Sequence, residues 1–458
     1  MDECEVWAVD EFSGAALGDA RRSRRLVALA AAFARRPRGR VTQVFDELAS
    51  REGAFRFLEN ESVSAEAIAS ASHAATARRC ANDARILVAV DQATLTLTDR
   101  LGKPGFGRTG PSAGSTTTGG FQVMTALVVR CDRTVEGVLG QQWWSRQEKA
   151  PPTKQDRRPN SQRESSLWKR TIEQAETTLA ANTPNTRAWY QLDRGGDAAA
   201  VLEYAVDAQV NITVRSAHDR ALGNGERLRA SIQRKAAMGT YRIRPREATR
   251  NVQDRVLAVR SAQVVLRLND LKGRTKRTIA LWCVHVREQR PRRGSERLEW
   301  WLLTTVPVRT FKDALAVVSN YTARWRIEEF HRAWKSGVCN IEHSQLRTAD
   351  RFQRWATIGA AVAARAERLK TAARAAPQRV ANEELSRDEI DAAILLTKRC
   401  RYERGDVLTM EQAIRLIADI GGYTGKSSGG PPGVRVIQRG LEEVIVAAKV
   451  LEALRRSD

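Results

Sequence analysis

The chain is poor in the residues that bind soft metals or cross-link a fold. Its 458 residues include five histidines and only six cysteines, at 4, 80, 131, 283, 339 and 400. No two cysteines form a C-x-x-C pair and no histidines stand at metal-ligand spacing, which argues against a zinc ribbon and a disulfide framework. Reduced thiols in a cytoplasm are the default for such a chain, and any metal it uses should be a hard ion held by oxygen. Long apolar runs are also missing. None approaches the ~20 residues of a membrane span, and the opening "MDECEVWAVDEF" is acidic rather than signal-like. Acid itself is short: 53 Asp and Glu face 76 Lys and Arg, a formal net charge of +23. That balance predicts a polyanionic partner, nucleic acid ahead of a membrane surface.

The length suits roughly three domains. Residues 15–36, "ALGDARRSRRLVALAAAFARRP", join a helical apolar pattern to clustered arginine at Arg21, Arg22, Arg24 and Arg25, with Asp19 as N-cap and Pro37 as stop. A second helical stretch follows over 51–70. An N-terminal helical domain with basic faces is therefore expected over about 1–70; an ordinary soluble bundle is the plainer alternative. "RILVAVDQATLTLT", 85–98, starts as a buried strand over Ile86–Val90 that ends at Asp91. The Gly/Ser/Thr-rich loop 102–120 is expected to be mobile. Residues 121–130 read as another buried strand, and the polar tract 145–166 as a surface loop. "RAWYQLDRGGDAAAVLEYAVDA", 187–208, repeats the first arrangement: a strand, Asp193 at its end, a Gly turn, and a helix opening near Asp197. Residues 209–306 form a β-rich segment. From about 370 the chain is helical and polar, with a Gly/Pro break at 421–433.

The stretch "NYTARWRIEEFHRAWKSG", 320–337, sets two acids in a basic run. On one continuous helix, at about 100° per residue, Tyr321, Arg324, Glu328 and Lys335 share a stripe roughly 60° wide. Ile327, Phe330 and Trp334 form a separate packing stripe. A charge ladder on a solvated face is the competing explanation. Asp91 and Asp193 at strand ends, with Glu328 on a later helix, suggest more. Hydrolysis and transfer of phosphodiesters use two divalent ions about 3.5–4 Å apart, acting on the attacking and departing oxygens, and Mg²⁺ is satisfied by a few carboxylates plus water. An Asp after a strand is commonly a helix cap, so the weight lies in the set of three. "GGYTGKSSGG", 421–430, is one residue short of a phosphate-loop spacing and follows no strand, so it is set aside.

These residues resemble a known family. "YTARWRIEEFHRAWKSG" is similar to the Y-x2-R-x3-E-x6-K signature of the insertion-sequence-four family of DDE transposases, most closely the Tn-five type. "LVAVDQATLTL" resembles the strand bearing the first acid, "LDRGGD" the D-R-E-A-D stretch bearing the second, and "SGAALGDARRSRRL" the end-recognition domain. "EGAFRFLENESVSAEAI" also resembles that domain, and "GGPPGVRVIQRGLEEV" the C-terminal region. The resemblance implies an α/β fold: an RNase H-like catalytic core over 71–370 with a β-rich insertion at about 209–306. An N-terminal helical DNA-binding domain (1–70) and a C-terminal helical dimerisation region (371–458) would flank it. It also implies Asp91, Asp193 and Glu328 as the triad for two Mg²⁺ ions, for which Mn²⁺ can substitute. Tyr321, Arg324 and Lys335 would grip phosphate, Trp300 would stack a flipped base, and Arg215 would touch DNA. A core role for Trp300 beside Trp301 is the alternative. The implied partners are double-stranded DNA, as terminal repeats and target, and a second copy of the chain; the implied place is the bacterial cytoplasm, on the nucleoid when bound. Two departures stand out. Gly195 and Gly196 replace Glu and Ala, which is expected to loosen the turn after Asp193, and Met124–Thr125 stand where the family often has His-Ser. Leu441, Val444, Ile445 and Ala448 make an apolar seam for pairing two protomers, unless it packs within its own chain.

Overall fold

A computed structural model describes residues 3–97, 105–109, 119–145, 164–243, 254–269, 275–291, 296–398, 400–425 and 430–457. Most of the loop 102–120, the tract 146–163 and the segment 426–429 therefore lie outside the described residues.

The centre is a sheet built outward from β1 (Arg85–Leu97). β1 pairs antiparallel with β3 (Gly119–Val129), and β3 with β4 (Val135–Trp144); the short β2 (Gly107–Arg108) edges β3. On its other side β1 runs parallel to β5 (Arg187–Leu192), and β5 parallel to β6 (Asn211–Arg215). The apolar run Ile86–Val90 is buried on both faces of this parallel section. β6 then pairs antiparallel with β10 (Glu299–Thr304), and β9 (Thr275–Glu288), β8 (Arg255–Asn269) and β7 (Gly239–Ile243) continue one ten-stranded sheet. The strand order is that of an RNase H-like core, with the β-rich segment extending its sheet. β6 belongs to the core although it falls within 209–306: its parallel pairing with β5, not its sequence pattern, distinguishes it from its neighbours.

Helices cover both faces. α6 (Glu164–Asn182) and α7 (Ala199–Asp207) pack with Val88, Val90 and Leu192, while α8 (Leu228–Gln233) lies against the extension. The opposite face takes α9 (Phe311–Thr322), α10 (Trp325–Lys335) and the 27-residue α11 (Ala349–Ala375). The N-terminal helices are α1 (Glu3–Phe12), α2 (Ala20–Arg35), α3 (Val41–Val44), α4 (Leu48–Glu59) and α5 (Ala65–Arg79). Asp19 caps α2 by accepting from Arg21 N, and the helix stops before Pro37, as the sequence predicts. α5 runs through residue 70 and α11 through 370, so neither boundary coincides with a break in secondary structure. One apolar cluster joins these helices to α10, α11 and the C-terminal helices. Phe33 stacks on Trp355 at 4.1 Å, and the Trp355 indole donates to Gly39 O. A Cβ at Gly39 would stand 1.9 Å from Asn340 O, so only glycine allows that approach.

The C-terminal helices are α12 (Arg387–Leu396), α13 (Met410–Ile420) and α14 (Val434–Ser457). Here one expectation is corrected. Leu441, Val444, Ile445 and Ala448 are buried within their own chain, where α14 packs on α12 and α13. Among the described residues, the large apolar side chains that α14 exposes are Val446, Val450 and Leu454, a different stripe at i, i+4 and i+8. Among the described residues no helix is long and apolar enough to cross a membrane.

Candidate active site

The sheet and α10 bring the acid residues to one corner. The strand does not end at Asp91 as expected: β1 runs on to Leu97 along β3, so Asp91 sits mid-strand opposite Thr125, with Met124 beside it opposite Gln92. Its Oδ1 accepts from Gln92 N at 2.8 Å. Its Oδ2 accepts from Arg324 Nη1 at 2.9 Å, while Arg324 Nη2 donates to Glu328 Oε1 at 3.0 Å. One guanidinium thus bridges the first and third acids of the sequence reading. Burial pushes the Asp91 carboxyl up to about 6; Arg324 opposes this, and the charges of Asp193 and Glu328 add to it.

Asp193 ends β5 and opens the 3-10 turn Arg194–Gly196, its Oδ1 accepting from Gly195 N at 2.7 Å. The turn is closed rather than loosened. The ring of the buried Trp168 covers it: a Cβ at Gly195 would lie 2.9 Å from that ring, and one at Gly196 would lie 2.8 Å from Leu192 Cβ. The two glycines make room for Trp168. The helix expected near Asp197 opens at Ala199, with Ala198 rather than Asp197 as its N-cap. The buried Asp197 carboxylate binds Arg220 at 2.6 Å and accepts from Ala217 N and His218 N, stitching the end of β5 to the end of β6. Arg215 at that end is half-buried, and burial with the neighbouring charges of Arg194 and Arg324 lowers its pKa.

The single-helix geometry expected for 320–337 is also corrected. α9 ends at Thr322 and α10 starts at Trp325. Across the junction Ala323 N bonds Asn320 O and Arg324 N bonds Tyr321 O, i−3 bonds that tighten the chain. Both linking residues keep αR dihedrals, so the periodicity of the sequence barely registers the break. Tyr321 is consequently buried. Its ring meets the half-buried Trp300 edge-on at 5.6 Å, and its phenol is raised by burial while hydrogen-bonding Arg324. Trp300 packs partly buried against the core under α9, while its neighbour Trp301 is buried and stacks on His285 at 3.7 Å. Lys335 ends α10 and lies 3.7 Å from Glu342, whose Oε1 accepts from Thr96 N of β1. Arg21, Arg24 and Arg25 are exposed along α2, whereas Arg22 is partly buried and donates to Leu17 O.

Asp91, Asp193, Glu328, Arg324, Tyr321 and Arg215 thus share one electrostatic neighbourhood. Among the described residues no three His, Cys, Asp or Glu form a ready-made metal cage. The donors available are all carboxylate oxygens, the ligand type of hard divalent ions, and the burial that raises Asp91, with the smaller repulsion from Asp193 and Glu328, is what such an ion offsets. Two neighbours escaped the sequence reading. Arg194 is exposed next to Asp193, and Trp325, 57% exposed, stands at the start of α10. An indole in an amphipathic helix normally marks the core, and only the structure turns this one outward.

Comparison with known families agrees in chain order. Residues 4–63 match the model "Transposase DNA-binding", residues 152–364 "Transposase DDE domain", and residues 361–456 "Transposase Tn5 dimerisation domain". The DDE match contains Asp193 and Glu328 and starts beyond Asp91. A domain of this kind works with divalent metal, and the flanking matches bring DNA binding and dimer formation. The chain belongs to the DDE transposases of the Tn5 type.

Proposed function

We propose that the chain is a cut-and-paste transposase: it binds the ends of its element, cuts them free and joins them to target DNA. The observation that carries this reading is the meeting of Asp91, Glu328 and Arg324, with Asp193 close by, beside buried Tyr321 and half-buried Arg215. Asp91, Asp193 and Glu328 would hold two Mg²⁺ ions, with Mn²⁺ an acceptable substitute. When bound, these ions supply a nucleophile at neutral pH and stabilise the departing oxygen. The chain's own cations do the rest. Arg324 and Arg215 face the acid corner and take the phosphates on either side of the scissile bond, and Lys335 holds the strand further along α10. Half-buried Trp300, backed edge-on by the buried Tyr321, offers a ring against which an unstacked base can lie. By family resemblance, water first frees a 3′-hydroxyl, which attacks the opposite strand to give a hairpin; the reopened 3′ end then joins target DNA.

Arg21, Arg24 and Arg25 on α2 supply end binding within about 1–70, the catalytic core spans about 71–370, and the remainder pairs two protomers through Val446, Val450 and Leu454. An RNase H-like nuclease without strand transfer is the second reading. The test is to replace Asp91, Asp193 and Glu328 singly with Ala and follow nicking and gel-shift binding on the same end DNA in Mg²⁺. Each variant is expected to keep end binding and lose cleavage. Full cleavage by any one of them removes that residue from the triad, and a wild type that nicks ends but never joins them favours the nuclease.

A further inference from the structure

The hairpin turn between β3 and β4 carries a residue in a costly conformation. Arg133 has φ 78°, in the left-handed region that disfavours a side chain. The turn is closed by Arg130 N to Thr134 O and Arg133 N to Arg130 O, a geometry that glycine would adopt freely. The Arg133 side chain reaches out of the turn to the end of α9, where Nη2 donates to Ser319 O at 2.9 Å and to Ser319 Oγ at 2.7 Å.

Ser319 O is the carbonyl that a regular α-helix would pair with Ala323 N. At the tightened junction Ala323 N turns to Asn320 O instead. Ser319 O is left to side chains, accepting from Arg133 and from Thr322 Oγ1 at 2.6 Å. Cationic side chains are common partners for carbonyls at the ends of helices.

We propose that Arg133 is a positioning residue for the active site: it holds the α9–α10 junction in its tightened form and thereby aims Arg324 and Glu328 at Asp91. Without it, Ser319 O can recover Ala323 N and the junction relaxes toward continuous α-helix. Two residues passing from about 120° to about 100° of turn rotate α10 by roughly 40°. At a side-chain radius of ~5 Å this moves Glu328 roughly 3–4 Å around the axis. Glu328 would then no longer share a site with Asp91, although its i,i+4 pairing with Arg324 would survive. The catalytic consequence rests on the transposase reading; the junction geometry does not.

Two variants test it, Arg133→Gly and Arg133→Lys. R133G removes the guanidinium while suiting the positive φ, so its melting temperature should be unchanged or higher. Its end-cleavage rate should nevertheless fall 10- to 100-fold with end binding intact, and amide exchange should quicken locally over 319–327. R133K, which keeps the charge and one donor, should recover part of both and replaces R133G if that variant does not fold. Wild-type cleavage together with wild-type exchange at 319–327 overturns the proposal. If the wild-type protein itself does not cut end DNA, the transposase reading fails and exchange alone decides: faster exchange at 319–327 supports the role of Arg133, and unchanged exchange removes it.

Discussion

Replacing Asp91 with Asn isolates the cost of ionising a buried carboxyl, to which the neighbouring Asp193 and Glu328 add. The Asp91 carboxyl lies at about 6 in the folded chain, against an ordinary 3.8. A raised folded value means that the folded state holds the proton more tightly than the unfolded one. The stabilisation is therefore complete below about 4 and is lost as pH rises through about 6. The gap corresponds to roughly 3 kcal/mol. The side chain is only 14% exposed, so solvent screens little of this. The wild-type pH profile alone cannot isolate the effect, because burial also lifts Glu3, to about 7, and that group pulls in the same direction. The difference between wild type and D91N can. The amide cannot accept at both oxygen positions, so it gives up the hydrogen bond from either Arg324 or Gln92, at roughly 1–3 kcal/mol. That penalty does not vary with pH. Relative to wild type, D91N should therefore gain roughly 3 kcal/mol between pH 4 and pH 8, about 3 °C in melting temperature for a chain this long. Differential scanning calorimetry without divalent metal, at pH steps between 4 and 8, measures it. Adding Mg²⁺ at pH 8 should raise the wild-type melting temperature and leave that of D91N much less changed. A difference that stays flat from pH 4 to pH 8 would refute the electrostatic account of this corner.

Replacing Arg21, Arg24 and Arg25 together with Ala should weaken end binding and reduce the salt slope by roughly 0.9 for each phosphate that the variant leaves unneutralised; an unchanged slope in filter binding removes α2 from the interface. Point variants are preferable to deleting 1–70, which would strip Leu26 and Phe33 from a core shared with Trp355. On α14, Val446→Lys with Val450→Lys should leave the fold and single-end binding intact but abolish paired-end complexes. Leu441→Ala should instead cost roughly 2–5 kcal/mol of stability, and paired-end complexes formed normally by the lysine variant would move the interface elsewhere.

Asp193 was legible because the strand before it stops at Leu192, whereas the apolar run Ile86–Val90 stops at Asp91 but its strand continues to Leu97, because alternating Ala93, Leu95 and Leu97 keep one face buried. Asp19 and Pro37 fixed α2 through local chemistry alone. What escaped depends on partners distant in sequence. Gly195 and Gly196 looked like a loosened turn because nothing nearby shows that Trp168 will lie on them. The two faces of α14 are both apolar at helical spacing, and only the packing of α12 and α13 decides which is inside. The break at Ala323–Arg324 keeps the dihedrals in the right-handed helical region and tightens the turn by i−3 bonds, a change the sequence period does not show. Arg133 is one arginine in a turn, and its meaning lies in the helix end it reaches.

The two adjacent acids of α10 show how such distant partners bear on function. Consecutive helical residues diverge by about 100°, so Glu328 and Glu329 cannot serve the same site. Glu328 turns to Arg324. Glu329 turns to Arg326 at 2.7 Å and to Lys370 of α11 at 3.4 Å, with burial opposing and these cations holding its carboxylate ionised. Lys370 is in turn paired with the buried Glu367. A surface ion pair would contribute little, but these groups are largely shielded, and removing one partner strands another in the interior. Glu329 thereby pins the rotation of α10 against α11, while Arg133 holds its start against the β3–β4 turn. Between them they set the direction in which Glu328 points. The second acid balances charge, as its sequence neighbours suggest, and in doing so it orients the first.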